Sequence, residues 1–175
     1  MKISGKMIAI AIVLPLVMSA PMFGRTWNLF LHIFGAILFM GNIAATAVWA
    51  SLARRDGGTG AVRLASRGIV ITDLIFTTPG AILLLVNGGI IGTEFFKVGA
   101  PWLVVSLALF VFSGVVWLAL MVPLQKRLLE VAHTPGDEVP DEWHTLIRQW
   151  FRMGGIATLL PLITLVLMVA KPALW

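Results

Sequence analysis

Five polar side chains interrupt long apolar stretches at positions where they could do chemistry: His32, Asn42, Asp73, Asn87 and Lys171. A neutral imidazole such as His32 can ligate a haem iron or another metal, hydrogen-bond a quinone, or relay a proton. It can equally act as glue, bonded to Asn87 or to a backbone carbonyl of a neighbouring helix. Both readings stay open, because ionisable groups inside membranes are functional more often than those of soluble proteins. Counted at about 1.5 Å per residue, His32 lies roughly 6 Å inside the boundary set by Asn28. Asn87 and Lys171 fall near the corresponding ends of their own helices, so the three form one candidate cofactor layer. A lysine at that depth also snorkels readily to the headgroups. A haem between two membrane histidines is excluded, since His133 and His144 fall in a charged loop and its junction. Met18, Met22 and His32 together would suit Cu(I).

Asp73 reads as lying about one turn inside the opposite boundary. There it either locks helix ends by pairing with Arg54, Arg55, Arg67 or Lys126, or serves as a proton-relay group. Its separation from His32, most of the bilayer on this reading, argues against one shared site. Asn42 follows Gly41 and precedes Ala44, Ala45 and Ala47, a composition that predicts close helix packing with an interhelical hydrogen bond. Thr77 and Thr78 ahead of Pro79 and Gly80 predict a kink whose freed carbonyls hydroxyls can satisfy. No nucleophile triad, phosphate loop or metalloprotease motif is present.

The elements that position these groups follow from composition. The 175 residues are 59% hydrophobic and 12% charged, against about 45–50% apolar for a soluble domain. Runs this long and this poor in charge satisfy their backbone in lipid only as helices. The expected fold is all-α, a polytopic membrane helical bundle with one leading hydrophobic helix in residues 1–26 and a four-helix membrane domain over 27–175. The leading run, Met7 to Phe23, is either a retained span or a signal-like segment with Ser19 and Ala20 near its end. The four others are expected at about Asn28–Leu52, Gly68–Ile91, Pro101–Val122, and Trp143 to Lys171. With no cysteine in the chain, disulfides, thiolate zinc sites and iron–sulfur clusters are excluded.

The net charge of +5 does not imply a nucleic-acid partner, because the basic residues cluster beside the spans. Arg54, Arg55, Arg63 and Arg67, then Lys126 and Arg127, then Arg148 and Arg152, mark one side as cytoplasmic under the positive-inside rule. With the leading helix retained, five spans put the amino terminus in the cytoplasm and the carboxyl terminus in the periplasm of a bacterial inner membrane. Six of the seven tryptophans, including Trp27, Trp49 and Trp175, fall near span ends, where an amphipathic ring prefers the headgroup level.

His32, Gly35, Gly41-Asn42 and Trp49, then Thr72-Asp73 and Thr78-Pro79-Gly80, then Trp117 and Val122-Pro123-Leu124-Gln125, then Trp150 and Met168 to Pro172 form a set. This set resembles the bacterial predicted integral membrane proteins grouped as domain of unknown function family 2269, over about Leu29 to Pro172. That resemblance implies fold and location, since the family has no established activity. A more distant similarity, carried by the histidine of the first family helix and the terminal Lys-Pro, connects the chain to membrane protoporphyrinogen oxidase and to the copper-resistance protein D group. It implies a haem b held by His32, with Lys171 as a second important side chain. Three functions are therefore expected to compete: a haem-binding or redox-linked protein using His32, a non-enzymatic accessory subunit packed against a larger membrane complex or a second copy of itself, and an outward-facing copper handler.

Overall fold

Among the described residues the apolar runs fold as helices, which close their backbone hydrogen bonds within themselves as an environment without water demands. The computed structural model describes residues 4–19 and 23–174, apart from the side chain of Asp56. Its elements are α1 (Gly5–Met18), α2 (Gly24–Asp56), α3 (Thr59–Thr72), a π turn (Asp73–Thr77), α4 (Thr78–Lys97), α5 (Pro101–Val116), a second π turn (Trp117–Met121), α6 (Val122–Ala132) and α7 (Asp141–Ala170). Because α3 runs through its π turn into α4, and α5 through its own into α6, there are four helices long and apolar enough to cross a membrane: Gly24–Arg55, Thr59–Lys97, Pro101–Ala132 and Asp141–Ala170. The fifth, α1, has 14 residues, or about 21 Å of helix against roughly 30 Å of hydrocarbon. The fold is an all-helical membrane bundle of four long helices and one short leading helix.

Two of the expected span boundaries move. The third helix begins at Thr59, not near Gly68, and the fourth runs to Ala132, past Val122. In both places charges end the apolar run while helical periodicity continues. Val62, Ala65, Ser66 and Ile69 bury one face of α3, and Gln125, Leu128, Val131 and Ala132 one face of α6, at the three- and four-residue spacing of an amphipathic helix.

Each π turn ends two residues before a proline, Pro79 or Pro123. A proline inside a helix donates no N–H and crowds the carbonyl four residues back. Widening the preceding turn gives that ring room and keeps the helix continuous. The displaced carbonyl of Asp73 is taken up twice, by the backbone N–H of Thr78 and by its hydroxyl at 3.1 Å.

The chain forms two units. The first contains Met1–Thr46 and Ile71–Thr93, hence α1, most of α2, the first π turn and most of α4. Here α2 and α4 touch at backbone level. A Cβ added to Gly35 would stand 2.8 Å from the Leu83 Cβ and 2.9 Å from the Gly80 carbonyl, and one on Gly80 would stand 2.9 Å from the Gly35 carbonyl. Only glycine permits that approach.

The second unit contains Ala47–Val70 and Glu94–Trp175. Its core gathers Ala50, Val62, Ile69, Met121, Leu128, Ile147, Trp150 and the fully buried Trp143. The Trp143 Nε1 donates to the Ser66 hydroxyl at 3.0 Å, the partner a buried indole needs. Arg63 closes the end of α6 by donating to the carbonyls of Ala132, Thr134 and Gly136 at 3.1, 3.3 and 3.4 Å. Helices α5 and α7 run antiparallel, tied by Ser113 to the Ala157 carbonyl at 3.1 Å and Thr164 to the Ser106 carbonyl at 3.4 Å.

Candidate functional site

The candidate chemistry of the first unit lies along the seam between α2 and α4. Going up α2, Arg25 donates to the Ile91 carbonyl, His32 meets the Leu84 carbonyl, Gly35 meets Gly80, and Asn42 meets Asp73 and Thr77. As the α2 number rises its partner's number falls by a similar amount, so the two helices are antiparallel in a fixed register. The α2 positions seen to meet α4 and its π turn include 32, 35, 39 and 42, stepping by three and four residues, and the positions they meet include 73, 77, 80, 83, 84 and 88. Polar and small residues dominate both series.

His32 is half-buried, with its Nδ1 3.0 Å from the Leu84 carbonyl oxygen. A carbonyl only accepts, so the neutral ring donates from Nδ1 and keeps its lone pair on Nε2. Gly88 makes the seat: a Cβ there would come within 2.9 Å of the His32 Cε1 and 3.1 Å of its Nδ1. At this level Asn87 is fully buried and donates from Nδ2 to the Ser19 hydroxyl at 2.8 Å and to the Leu83 carbonyl at 2.9 Å. Ser19 in turn donates to the Pro15 carbonyl at 2.7 Å. Asn28, one turn before His32, donates to the Gly24 carbonyl at 2.9 Å. Among the described residues the Oδ1 atoms of Asn28 and Asn87 have no protein partner. This level thus presents hydrogen-bond acceptors: one imidazole nitrogen and two buried amide oxygens.

Asp73, 9% exposed, lies at the other level. Its Oδ1 accepts from Asn42 Nδ2 and from the Thr77 hydroxyl, each at 2.8 Å, and the same Asn42 nitrogen donates to Thr77 at 2.8 Å. Three side chains form a closed ring, and Thr46 donates to the Asn42 carbonyl at 2.8 Å beneath it. Asp73 shares a level with Asn42, which is 12 residues from Arg54 and 17 from Arg25, or about 18 and 25 Å along α2; on its own helix it follows Arg67 by six residues, about 9 Å, and Arg63 and Arg67 belong to that helix and not to a loop. The Asp73 level is 10 residues of α2 from His32, about 15 Å, roughly half the hydrocarbon thickness and not most of it.

The structure therefore brings Asn42 and Asp73 into direct contact, and seats His32 beside the helix that carries Asn87. Lys171 belongs to the second unit, where its Nζ lies 5.5 Å from the Phe95 ring centroid and 5.7 Å from that of Trp102, within cation–π range. Its backbone is left-handed, with φ at 45°, and ends α7. Of the residues proposed for copper, Met22 lies outside the described residues, as do Ala20 and Trp175. Sequence reasoning read Thr77 only as a kink hydroxyl, Asn28 only as a span boundary and Ser19 only as lying near the end of the leading run, and it did not single out Gly88. The alternating step of four and three polar or small residues through apolar helices was the available signal for the first two. The carbonyl of Leu84 has no signal in a side-chain alphabet.

Long apolar helices with a polar seam define a polytopic integral membrane protein. The chain belongs to the family described as Predicted integral membrane protein (DUF2269), whose model matches residues 27–172. That match takes in α2 through α7 and leaves out α1. No curated protein and no solved structure matches the chain.

Proposed function

We propose that this multi-pass membrane protein binds haem b through His32 and has a redox-linked role in the bacterial inner membrane. The observation supporting the reading is the hydrogen bond from His32 Nδ1 to the Leu84 carbonyl. A ligating histidine characteristically donates its second nitrogen to a carbonyl or carboxylate, which fixes the ring and leaves the other nitrogen unprotonated. Iron needs that free lone pair and a ring that does not turn, and His32, held by Leu84 and Gly88, offers both. A bound haem would supply one-electron chemistry. The chain's own part is to hold the ring, and to offer the Asn28 and Asn87 amide oxygens to hydrogen-bond donors at the same level. Lys171 remains the candidate for a second important side chain. The basic residues from Arg54 to Arg67, Lys126 to Arg127 and Arg148 to Arg152 would face the cytoplasm, with the carboxyl terminus in the periplasm.

The test is a dithionite-reduced minus oxidised spectrum of the protein purified in mild detergent after expression with haem available, beside His32→Ala. The expected result is a b-type signal at about one haem per chain that the variant loses while eluting as the same folded species. A folded wild-type preparation without the signal overturns the proposal. One observation favours a second reading, an accessory subunit: Gly41 and Ala44 form an exposed small-residue face on α2, and a Cβ on Gly41 would meet nothing within 4 Å. Stable co-purification with a larger membrane complex, lost on Gly41→Leu, would support it.

A further inference from the structure

The second unit carries arginines that its own acids do not answer. Arg54 and Arg55 stand in the last turn of α2, and Arg148 and Arg152 stand four residues apart on one face of α7, all four exposed. One contact brings the two groups to the same level: the Arg54 guanidinium carbon lies 6.0 Å from the centroid of the Phe151 ring, within cation–π range, and Phe151 stands between Arg148 and Arg152 in the chain. Like charges four residues apart on a helix repel. Such an arrangement is stabilised by an anion that lies against both.

The unit's own carboxylates are engaged elsewhere. Glu130 and Glu142 pair with Arg127 at 3.6 and 2.8 Å, and Glu94 with Lys97 at 2.9 Å. Asp141 opens α7 seven residues before Arg148 and eleven before Arg152, about 10 and 16 Å along the helix. Among the described residues no ion pair involves Arg54, Arg55, Arg148 or Arg152; Arg148 donates to a neutral partner, the Thr145 hydroxyl, at 3.2 Å. Beyond the arginines both helices present exposed hydrocarbon. Leu52 and Val48 continue the face of Arg55 back along α2, and Ile156 and Leu159 continue that of Arg152 along α7, at the three- and four-residue steps that keep side chains on one face. Each helix thus offers guanidinium groups followed by an apolar flank.

We propose that this surface is a headgroup site for an anionic phospholipid: Arg148 and Arg152, with Arg54 beside them, bind its phosphate, and its acyl chains lie along the apolar flanks of α2 and α7. A guanidinium fork matches two phosphate oxygens at once, and basic clusters at the ends of membrane helices attract anionic headgroups. A soluble phosphate would meet the arginines and leave the flanks uncovered, so the ligand is the lipid. A zwitterionic lipid brings its own cation to the phosphate, so the site selects by headgroup charge. It is independent of His32 and of any haem.

The test uses the full-length chain in mild detergent, offered phosphatidylglycerol and phosphatidylcholine of identical acyl chains at equal concentration, with bound lipid counted by native mass spectrometry. The expected result is that the first lipid bound is phosphatidylglycerol by about 25-fold, about fivefold for each of Arg148 and Arg152. Arg148→Gln/Arg152→Gln binds the two lipids alike. Lys97→Gln/Lys171→Gln, which removes the same charge around the opposite end of α7, keeps the preference, and excess inorganic phosphate leaves the bound lipid in place. Equal binding of the two lipids by the wild-type protein overturns the proposal whatever the variants do. So does a preference that the Lys97→Gln/Lys171→Gln variant loses as fully, which would make it an effect of net charge alone. Displacement of the lipid by inorganic phosphate overturns it too, and would make this a site for a soluble anion.

Discussion

The contact of α2 with α4 at Gly35 and Gly80 makes a quantitative prediction. A Cβ on Gly35 would be 2.8 Å from the Leu83 Cβ, while carbon atoms pack best at about 3.5–4.0 Å. Gly35→Ala must therefore push the helices apart by roughly 1 Å or bend them, and neither a Cβ nor the Gly80 carbonyl can turn away as a flexible side-chain end would. Overpacking of this kind costs about 1–3 kcal/mol. The separation that admits a methyl at Gly35 also admits one at Gly80, whose nearest neighbours are the Gly35 carbonyl and the Phe39 backbone nitrogen. The double variant should then be destabilised by less than the sum of the singles, by at least about 0.5 kcal/mol, as expected for coupled neighbours. Gly41→Ala is the control: its Cβ meets nothing, and alanine is the better helix former by about 1 kcal/mol. Reversible unfolding in mixed micelles with rising sodium dodecyl sulfate, followed by circular dichroism, reads the four variants against the wild type. A Gly35→Ala variant as stable as Gly41→Ala would refute the backbone contact and the register built on it.

Two further predictions concern the second unit. Trp143→Phe removes the bond to Ser66 and leaves a void in the core, and should cost about 2–3 kcal/mol in the same unfolding assay; a loss under 0.5 kcal/mol would mean that the indole N–H contributes nothing. Arg63→Ala frees three carbonyls at the end of α6, two of them at exposed bonds, and should cost about 1 kcal/mol while speeding amide exchange in residues 128–136. Arg63→Lys should recover little, because an ammonium cannot fork across three acceptors.

The helices were legible from hydropathy alone, because lipid leaves a backbone few alternatives. Their ends were not. Reading each span as the apolar run made Arg63, Arg67 and Gln125 into loop residues, although Val62, Ala65, Ser66 and Ile69 already carried the helical spacing that keeps α3 going. Pro123 looked like a stop, and the π turn before it removes the clash that would have made it one. The individual polar residues stood out against their apolar surroundings. What they touch did not, because Asn42 and Asp73 are 31 residues apart and meet only through the register of α2 against α4. A shift of that register by one turn would have separated them, and nothing local in either segment fixes it.

What does fix the register is the polar seam itself. Lipid tails are as apolar as leucine, so apolar burial gives helices in a bilayer little reason to associate. In water, seam positions stepping by four and three residues are filled by leucine and valine; here the residues seen in contact are His32, Gly35, Phe39 and Asn42 against Asp73, Thr77, Gly80, Leu83, Leu84 and Gly88. Gly35 and Gly80 allow the backbones to touch, and the side-chain bonds on either side of them are satisfied in one alignment. A one-residue slip would rotate the Gly35 carbonyl and the Leu83 Cβ into new neighbours and break the ring at Asp73 and the bond at His32 together. The same residues that make the seam specific are thus the ones that make it chemically capable. Loss of the fold and loss of function will be correlated for substitutions at Gly35 or Gly80, and separable at His32 Nε2, the atom the seam holds in place without using it to close it.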